Sequence, residues 1–284
     1  MHILLNAVSI LLSKLSPRNL ERVAYGITFL FFKVFGLRRK LILKNLDIVF
    51  GDHKTKAQKE RIGFESYYHF VLTSVEFLAE RNGKLGDQVS IDGEHHLADA
   101  KKQGKGAYIL CIHMGSWEAM GSALTRLGYP SNVIVKKVGS EKMDRFVNDL
   151  RRKNGFYSIV RKKKGDAVIG IKRALDRNEL VGFVMDQARP GEPLLPFFNK
   201  PAKTNTSFAA IHRRIPAPII PVYITRVRAG EHRLKVLPPL DIGESKDTNA
   251  DVETKSLAFN RVVEDMIMAC PEQYFWMHNR WKLT

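Results

Sequence analysis

Cysteine is scarce in this sequence, and long hydrophobic runs are missing. Cys111 and Cys270 are the only cysteines among 284 residues. They form no Cys-x-x-Cys motif, so neither a disulfide framework nor a cysteine-based zinc site is indicated, and a reducing compartment is expected. We predict no metal and no cofactor. A run of the roughly 20 apolar residues that a membrane-spanning helix needs is also absent.

Acidic residues are also few: the sequence has 29 Asp and Glu but 46 Lys and Arg, which gives a net charge of +17. The partners should therefore be anionic, and nucleic acid, an anionic membrane and an acidic protein all fit on charge alone. No zinc-finger or RNA-binding aromatic motif is recognisable, so we predict no nucleic-acid partner. The basic residues form five main clusters: Arg38-Arg39-Lys40, Lys136-Lys137, Arg151-Arg152-Lys153, Arg161-Lys162-Lys163-Lys164 and Arg213-Arg214.

Residues 1–50 have the pattern of membrane-associated helices. Apolar residues recur at helical spacing in the first fifteen positions, and Ser16 and Pro17 are typical of the N-cap and first residue of a second helix. The uncharged run Val23–Phe32 is too short to span a bilayer. We predict that this segment lies in the membrane interface, held to anionic headgroups by the basic cluster at residues 38–40. Packing of these helices on the rest of the protein explains the pattern equally well.

Residues 51–284 alternate between helix-like and strand-like segments. A helix is expected around Ala57 to Arg81 and another from Val252 to Ala269, and Arg233–Leu237 has the alternating pattern of an edge strand. This order predicts an α/β domain with a mainly parallel sheet flanked by helices. The remaining strands are expected near Val89–Asp92, Ala107–Ile112, Asn132–Lys136, Tyr157–Val160, Leu180–Met185 and Ile219–Thr225.

The most informative motif is a His-x4-Glu sequence directly after the apolar run Tyr108–Ile112. His113 would lie at the carboxyl end of a buried strand, where open α/β sheets bind ligands, and Ser116 would cap a helix that carries Glu118 in its first turn. Glu118 could then fold back to one ring nitrogen of His113 and leave the other free to act as a general base. Alternatively, His113 only ends the strand and Glu118 only complements the helix dipole.

A second buried run, Leu180–Met185, ends in Asp186 and Gln187. Because the carboxyl ends of neighbouring parallel strands meet at one edge of a sheet, these residues should converge with His113. Asp186 is expected to bind a hydroxyl or to orient a basic residue, and a structural salt bridge is the alternative.

Basic and aromatic residues supply further candidates for a binding site. The guanidinium groups of Arg151, Arg152 and Arg161 are suited to binding phosphate, but the sequence does not show which of them enters the site. The aromatic segment Phe197–Thr204 suits the wall of an amphiphile site, and the tail Pro271–Lys282 has the chemistry of a membrane-interface belt. Packing inside the protein is an equally simple explanation for both segments.

Several blocks of sequence occur in an order that points to a known family. They are Asn45–Phe50, His113–Glu118, Asp186-Gln187, Phe197-Phe198 with Pro201–Thr204, Pro216–Val222 and Pro271–Lys282. In this order they resemble the late acyltransferases of lipid A biosynthesis. The resemblance implies a glycerolipid acyltransferase-like core and a membrane-bound enzyme at the cytoplasmic face of a Gram-negative inner membrane. Such an enzyme moves a fatty acyl group from acyl carrier protein onto a lipid A precursor.

The resemblance also implies roles for particular residues. His113 and Glu118 would be the catalytic dyad, although the family more often has asparagine where this chain has Ser116. The family's essential arginine lies between the dyad and the aspartate, an interval that contains Arg152 and Arg161.

Two other functions remain open at this point. One is acyl transfer to another glycolipid or a lysophospholipid, from acyl-CoA or acyl carrier protein. The other is a basic protein without catalysis that binds a membrane or nucleic acid. Salt-sensitive binding to duplex DNA or RNA with no acyl transfer would favour the second.

Overall fold

A seven-stranded sheet forms the centre of the protein in a computed structural model that describes residues 2–137, 139–160, 165–187 and 191–282. Its strand order is β1-β9-β8-β2-β5-β3-β4, and every neighbouring pair is parallel except β8 and β9. The α/β fold with a mainly parallel sheet is therefore confirmed. The strands are β1 Val89–Asp92, β2 Ala107–Cys111, β3 Ser131–Val135, β4 Tyr157–Val160, β5 Leu180–Val184, β8 Ile219–Arg228 and β9 Glu231–Val236, and a separate hairpin joins β6 Leu194–Phe197 to β7 Lys200–Lys203.

Helices cover both faces of this sheet. Alternate residues of β2 belong to two different core clusters, with Tyr108 and Leu110 in one and Ile109 and Cys111 in the other. Because β2 is buried on both faces, its sequence is a continuous apolar run, and that run is what predicts the strand. The α-helices are α1 His2–Leu12, α2 Pro17–Thr28, α3 Arg39–Phe50, α4 Lys56–Ala79, α5 Glu94–Lys102, α6 Trp117–Arg126, α7 Glu141–Lys153, α8 Asp166–Asp176, α9 Ser207–Arg214 and α10 Thr248–Ala269, and a π-helix, Phe29–Val34, follows α2 directly.

The position predicted for the strand near residues 233–237 is wrong. This segment lies in β9, which pairs with β1 on one side and β8 on the other and is therefore an inner strand. Its alternating pattern arises because Leu234 and Val236 are buried while Arg233 and Lys235 lie on the more open face. An antiparallel strand with one solvated face alternates wherever it lies in the sheet, so alternation does not identify an edge.

The N-terminal helices pack on α4 with one side and expose apolar residues on the other. Ser16 caps α2 by accepting from the amide of Asn19, and Pro17 is the first helical residue, as predicted. Phe32 and Ile42 are fully buried in the same core cluster as the sheet. No helix within the described residues is long and apolar enough to cross a membrane. Among the side chains described in this segment, the large apolar ones that are exposed are Ile10, Leu11, Tyr25, Phe29, Leu30, Phe31, Val34, Phe35 and Leu37.

Candidate active site

His113 and Asp186 meet at the carboxyl edge of the sheet. Strands β2 and β5 are parallel neighbours with Cys111 opposite Val184, so the residues two positions further on lie side by side. His113 Nδ1 is 2.9 Å from Asp186 Oδ1, and the backbone amide of His113 donates to Asp186 Oδ2 at 3.3 Å. Asp186 is fully buried, whereas a quarter of the His113 side chain is exposed. The predicted convergence of the two strand ends is confirmed, and Asp186 orients a basic residue.

The contact between His113 and Asp186 also changes the pKa of the imidazole. Burial by itself lowers the pKa of His113, but the charge and hydrogen bond of Asp186 outweigh it and raise that pKa above its ordinary value. Burial likewise favours a raised pKa for Asp186, yet His113 lowers it overall. Because an ionised carboxylate only accepts, Nδ1 carries the proton and Nε2 is left to accept one. The side-chain amide nitrogen of Gln187 lies 3.3 Å from the same Nδ1.

Glu118 does not contact the His113 ring, so that predicted contact is wrong. Its two carboxylate oxygens bind Arg151 instead, with Oε1 2.6 Å from Nη2 and Oε2 3.0 Å from Nε. Both side chains are about nine-tenths buried. A buried guanidinium without a partner is costly, which explains why the first turn of α6 is paired with the last turn of α7. The charge of Glu118 still adds to the raised pKa of His113, and Arg151 opposes it.

Of the candidate arginines, Arg151 lies at this site and Arg152 does not. Arg151 lines the cavity below His113, whereas the Arg152 side chain is 63% exposed and pairs with Asp149. Successive helical residues point about 100° apart, so only one of the two can face α6. Arg161, the other predicted candidate, lies outside the described residues.

An apolar cavity of about 390 Å³ runs from His113 between the sheet and α6. Its polar end is formed by residues that follow the strands, including His113, Gln187 and Lys137, together with Glu118 and Arg151. Gly182 in β5 has no side chain to fill the channel. The apolar lining consists of Ile109, Cys111, Trp117, Met120, Leu124, Val133, Ile134, Val135, Phe156, Leu180 and Val184. The cavity is therefore an apolar channel with a histidine and charged groups at its mouth.

The C-terminal tail packs beside His113 instead of forming an exposed aromatic belt. The amide of Phe275 donates to the carbonyl of His113 at 3.0 Å, and that of Gly115 donates to the carbonyl of Gln273 at 3.1 Å. Trp276 and Trp281 are almost fully buried. The membrane-belt interpretation of the tail is thus wrong and the packing alternative is confirmed. Sequence reasoning missed Gln273 and Phe275 as neighbours of the histidine, and the aromatic density of the tail was the only signal.

The second aromatic segment, residues 197–204, also packs part of its side chains in the interior. Phe197 is fully buried and packs against Trp281, with the Arg280 guanidinium 4.6 Å from its ring centre. Phe198 and Asn199 form the turn of the β6–β7 hairpin in left-handed conformations. This segment does not line the cavity at His113, because it belongs to a hairpin that packs on α10 and the tail.

At the edge of the α/β sheet, a histidine hydrogen-bonded to a buried aspartate thus lies at the mouth of an apolar cavity. The sequence model described as bacterial lipid A biosynthesis acyltransferase matches residues 1–283. The chain belongs to that family, and the family predicted from the sequence is confirmed.

Individual relatives agree with this membership. The chain is similar to the lipid A biosynthesis palmitoleoyltransferase of Escherichia coli K12, with 23% identity over 86% of this chain and 79% of the relative. It is also similar to the lipid A biosynthesis lauroyltransferase of the same organism, with 24% identity over 92% and 84%. A lipid A biosynthesis acyltransferase of Haemophilus influenzae is 26% identical over 89% and 85%.

Proposed function

We propose that this acyltransferase moves a fatty acyl chain from acyl carrier protein onto a hydroxyl of a lipid A precursor, with His113 as general base. The observation that carries the proposal is the hydrogen-bonded pair of His113 and Asp186 at the mouth of the apolar cavity. Membership of the family supports the reaction class and the acceptor. The donor and the roles of individual residues are the further content of the proposal.

In the proposed reaction, Nε2 of His113 takes the proton of the acceptor hydroxyl as the oxygen attacks the thioester carbonyl. Asp186 holds the ring and balances the imidazolium that forms. The tetrahedral intermediate then expels the carrier's thiolate, which receives the proton from the imidazolium. An ester and a free thiol are the products. Backbone amides at the start of α6 stabilise the oxyanion.

Glu118 supports this chemistry through charge and through Arg151. Its carboxylate adds to the field that favours the imidazolium, although it does not touch the ring. Arg151 is held in the cavity wall by two hydrogen bonds that it donates to Glu118, and its guanidinium is suited to a phosphate or carbonyl oxygen of a substrate. Glu118 is therefore a positioning residue in this proposal.

The acyl chain would occupy the apolar cavity. The lining from Leu180 to Val184 follows β5 for four residue steps, which is about 13 Å at 3.3 Å per step. A saturated chain advances about 1.25 Å per carbon, given bonds near 1.5 Å and angles near 111°, so roughly ten carbons fit below the strand ends. Lys137 and the neighbouring Lys136 lie at the mouth, where positive charge would favour an acidic carrier protein.

The exposed apolar side of the N-terminal segment is proposed to bind the cytoplasmic face of the inner membrane. Tyr25, Phe29 and Phe35 are more than half exposed there, beside the basic residues Lys33 and Arg38. Aromatic and basic residues on one surface suit an interface of anionic headgroups. Flotation with vesicles that contain anionic lipid should recover the protein, and a failure to bind at low salt would contradict this placement.

A transfer assay with purified protein tests the proposed reaction. The substrates are a panel of acyl carrier protein thioesters and a defined lipid A precursor, with acyl-CoA and a lysophospholipid as competing donor and acceptor. We expect an ester product from the wild type and a roughly 10²- to 10⁴-fold lower rate from His113→Ala. A normal rate in His113→Ala would overturn the mechanism, and transfer only to the lysophospholipid would overturn the acceptor.

A further inference from the structure

A buried network on α4 and β8 reaches the loop that follows His113. The hydroxyl of Thr73, in α4, donates to the carbonyl of Gly115 at 2.7 Å. The same oxygen accepts from Nη2 of Arg226, in β8, at 2.9 Å. Arg226 also binds Glu76, with Nη2 2.6 Å from Oε2, and both of these side chains are over nine-tenths buried. None of these residues lines the apolar cavity.

The direction of each hydrogen bond in this network is fixed by chemistry. A guanidinium only donates, so the Thr73 oxygen accepts from Arg226 and must use its one proton on the Gly115 carbonyl. The remaining Arg226 donors are directed to Oε1 of Glu76 and Nδ1 of His69, at 3.3 and 2.8 Å. Burial, followed by the charge of Arg226, lowers the pKa of His69 to about 3, so this histidine stays neutral. Thr73 therefore has a single arrangement available to it.

The carbonyl that Thr73 binds belongs to the peptide that links Gly115 to Ser116. The amide of a trans peptide points away from its carbonyl, so the Ser116 N–H is directed away from α4. Helix α4 contributes to the core cluster that contains Tyr108 and Leu110, whereas the cavity is lined by Ile109 and Cys111 on the opposite face. Among the described residues, no backbone carbonyl accepts from the Ser116 amide.

The backbone at Gly115 permits no other residue and little movement. Its φ is +54°, and a Cβ there would lie 2.3 Å from the carbonyl oxygen of Ile224. Its amide is held by Gln273, whose side chain in turn binds both the amide and the carbonyl of Arg226, at 2.7 and 2.9 Å. Arg226 thus supports both sides of the loop, through Thr73 on one and Gln273 on the other.

We propose that Thr73, backed by the Arg226–Glu76 ion pair, is a positioning residue that holds the Gly115–Ser116 peptide so that the Ser116 amide faces the oxyanion of the acyl-transfer intermediate. This inference rests on the proposed function. Its mechanism is geometric: an oxyanion donor is effective only when it is already aimed at the oxygen that becomes charged, and a misplacement of about 1 Å can cost about 10²-fold in rate. Thr73 itself touches no substrate.

The test compares Thr73→Val, which removes the hydroxyl at nearly constant shape, with Thr73→Ser, which keeps it. Thr73→Val should lower kcat roughly 10- to 100-fold with KM changed less than about twofold, and Thr73→Ser should restore most of the rate. The matched control is Ser74→Ala on the same helix, and it should keep the wild-type kcat because the Ser74 hydroxyl donates to the Phe70 carbonyl, at 3.0 Å, and not to Gly115.

Two further measurements separate positioning from a general loss of structure. The pH dependence of kcat should keep its midpoint in Thr73→Val, because the contact between His113 and Asp186 is untouched. In backbone amide NMR, Ser116 should shift and exchange faster in Thr73→Val, and Thr73→Ser should resemble the wild type. An unchanged kcat, an equal loss in Ser74→Ala or a displaced pH midpoint would overturn the inference. If the wild type transfers no acyl group, the proposed function fails, and an unchanged Ser116 amide would then separately overturn the positioning role.

Discussion

Two carboxylates lie near His113, and they differ in how the chain brings them there. Glu118 is five residues away in sequence and points from α6 to Arg151 in α7. Asp186 is 73 residues away, yet it binds the imidazole at 2.9 Å because β2 and β5 are adjacent parallel strands. Sequence proximity favours Glu118, whereas sheet topology selects Asp186. The partner of a residue at a strand end is thus more reliably sought at the end of the neighbouring strand.

The first way to test this difference is to neutralise Asp186. Asp186→Asn keeps the shape but lets the side-chain amide donate to Nδ1, which favours the tautomer with the ring proton on Nε2 and leaves only a minor tautomer that can act as the base. We expect kcat in the transfer assay to fall roughly 10²- to 10⁴-fold. Asp186→Glu is the matched variant that retains the charge and should recover part of the rate. A kcat within about threefold of wild type in Asp186→Asn would show that the pair is only structural.

The ion pair of Glu118 and Arg151 should contribute more to the free energy of unfolding than the surface ion pair of the neighbouring Arg152. Arg151→Ala leaves a buried carboxylate without its partner, which costs about 3–5 kcal/mol in the free energy of unfolding. The control is Arg152→Ala, since that side chain is 63% exposed and its loss should change stability by less than about 0.5 kcal/mol. Urea denaturation of both variants measures the difference. Equal effects in the two variants would contradict the assignment of Arg151 as the buried partner.

The cavity lies beside both the His113–Asp186 pair and the Glu118–Arg151 pair. A substitution in its wall should have a smaller effect, and one that depends on the length of the acyl chain. Gly182 faces the channel, and a Cβ there would meet the nearest atom at an ordinary 3.4 Å, so Gly182→Val should fold while narrowing the middle of the channel. Long thioesters should lose roughly 10- to 200-fold in kcat/KM for each displaced methylene, while short ones keep theirs. Competition between two chain lengths in one reaction measures the ratio directly. An unchanged ratio would place the acyl chain elsewhere.

Much of the fold follows from local sequence patterns, but the site depends on contacts between distant segments. Buried runs such as Tyr108–Ile112 predict parallel strands, and their polar ends predict the neighbourhood of His113 and Asp186. Periodicity is a local signal, so it cannot show that Glu118 meets Arg151 on another helix. It also cannot show that β9 is an inner strand, because alternation reports a solvated face and not a position in the sheet.

The tail and α4 likewise contribute contacts to the site that local sequence patterns do not reveal. Gln273 and Phe275 hold the backbone around His113 from 160 or more residues away, and Thr73 does so from the opposite direction. Apart from the aromatic density of the tail, nothing in their local sequence marks them as neighbours of the histidine. Burial of aromatic residues in the tail is a consequence of this packing, which is why composition alone also suggests a membrane-facing belt.

The pH dependence of kcat in Asp186→Asn and Glu118→Gln tests the central claim, that Asp186 rather than Glu118 sets the state of His113. A general base works when neutral, so the rate rises with pH through the pKa of His113, which Asp186 holds above its ordinary value. Loss of the Asp186 charge leaves burial to lower that pKa, so the rise should move to lower pH in Asp186→Asn. In Glu118→Gln it should move in the same direction by less. A larger displacement in Glu118→Gln than in Asp186→Asn would contradict the account.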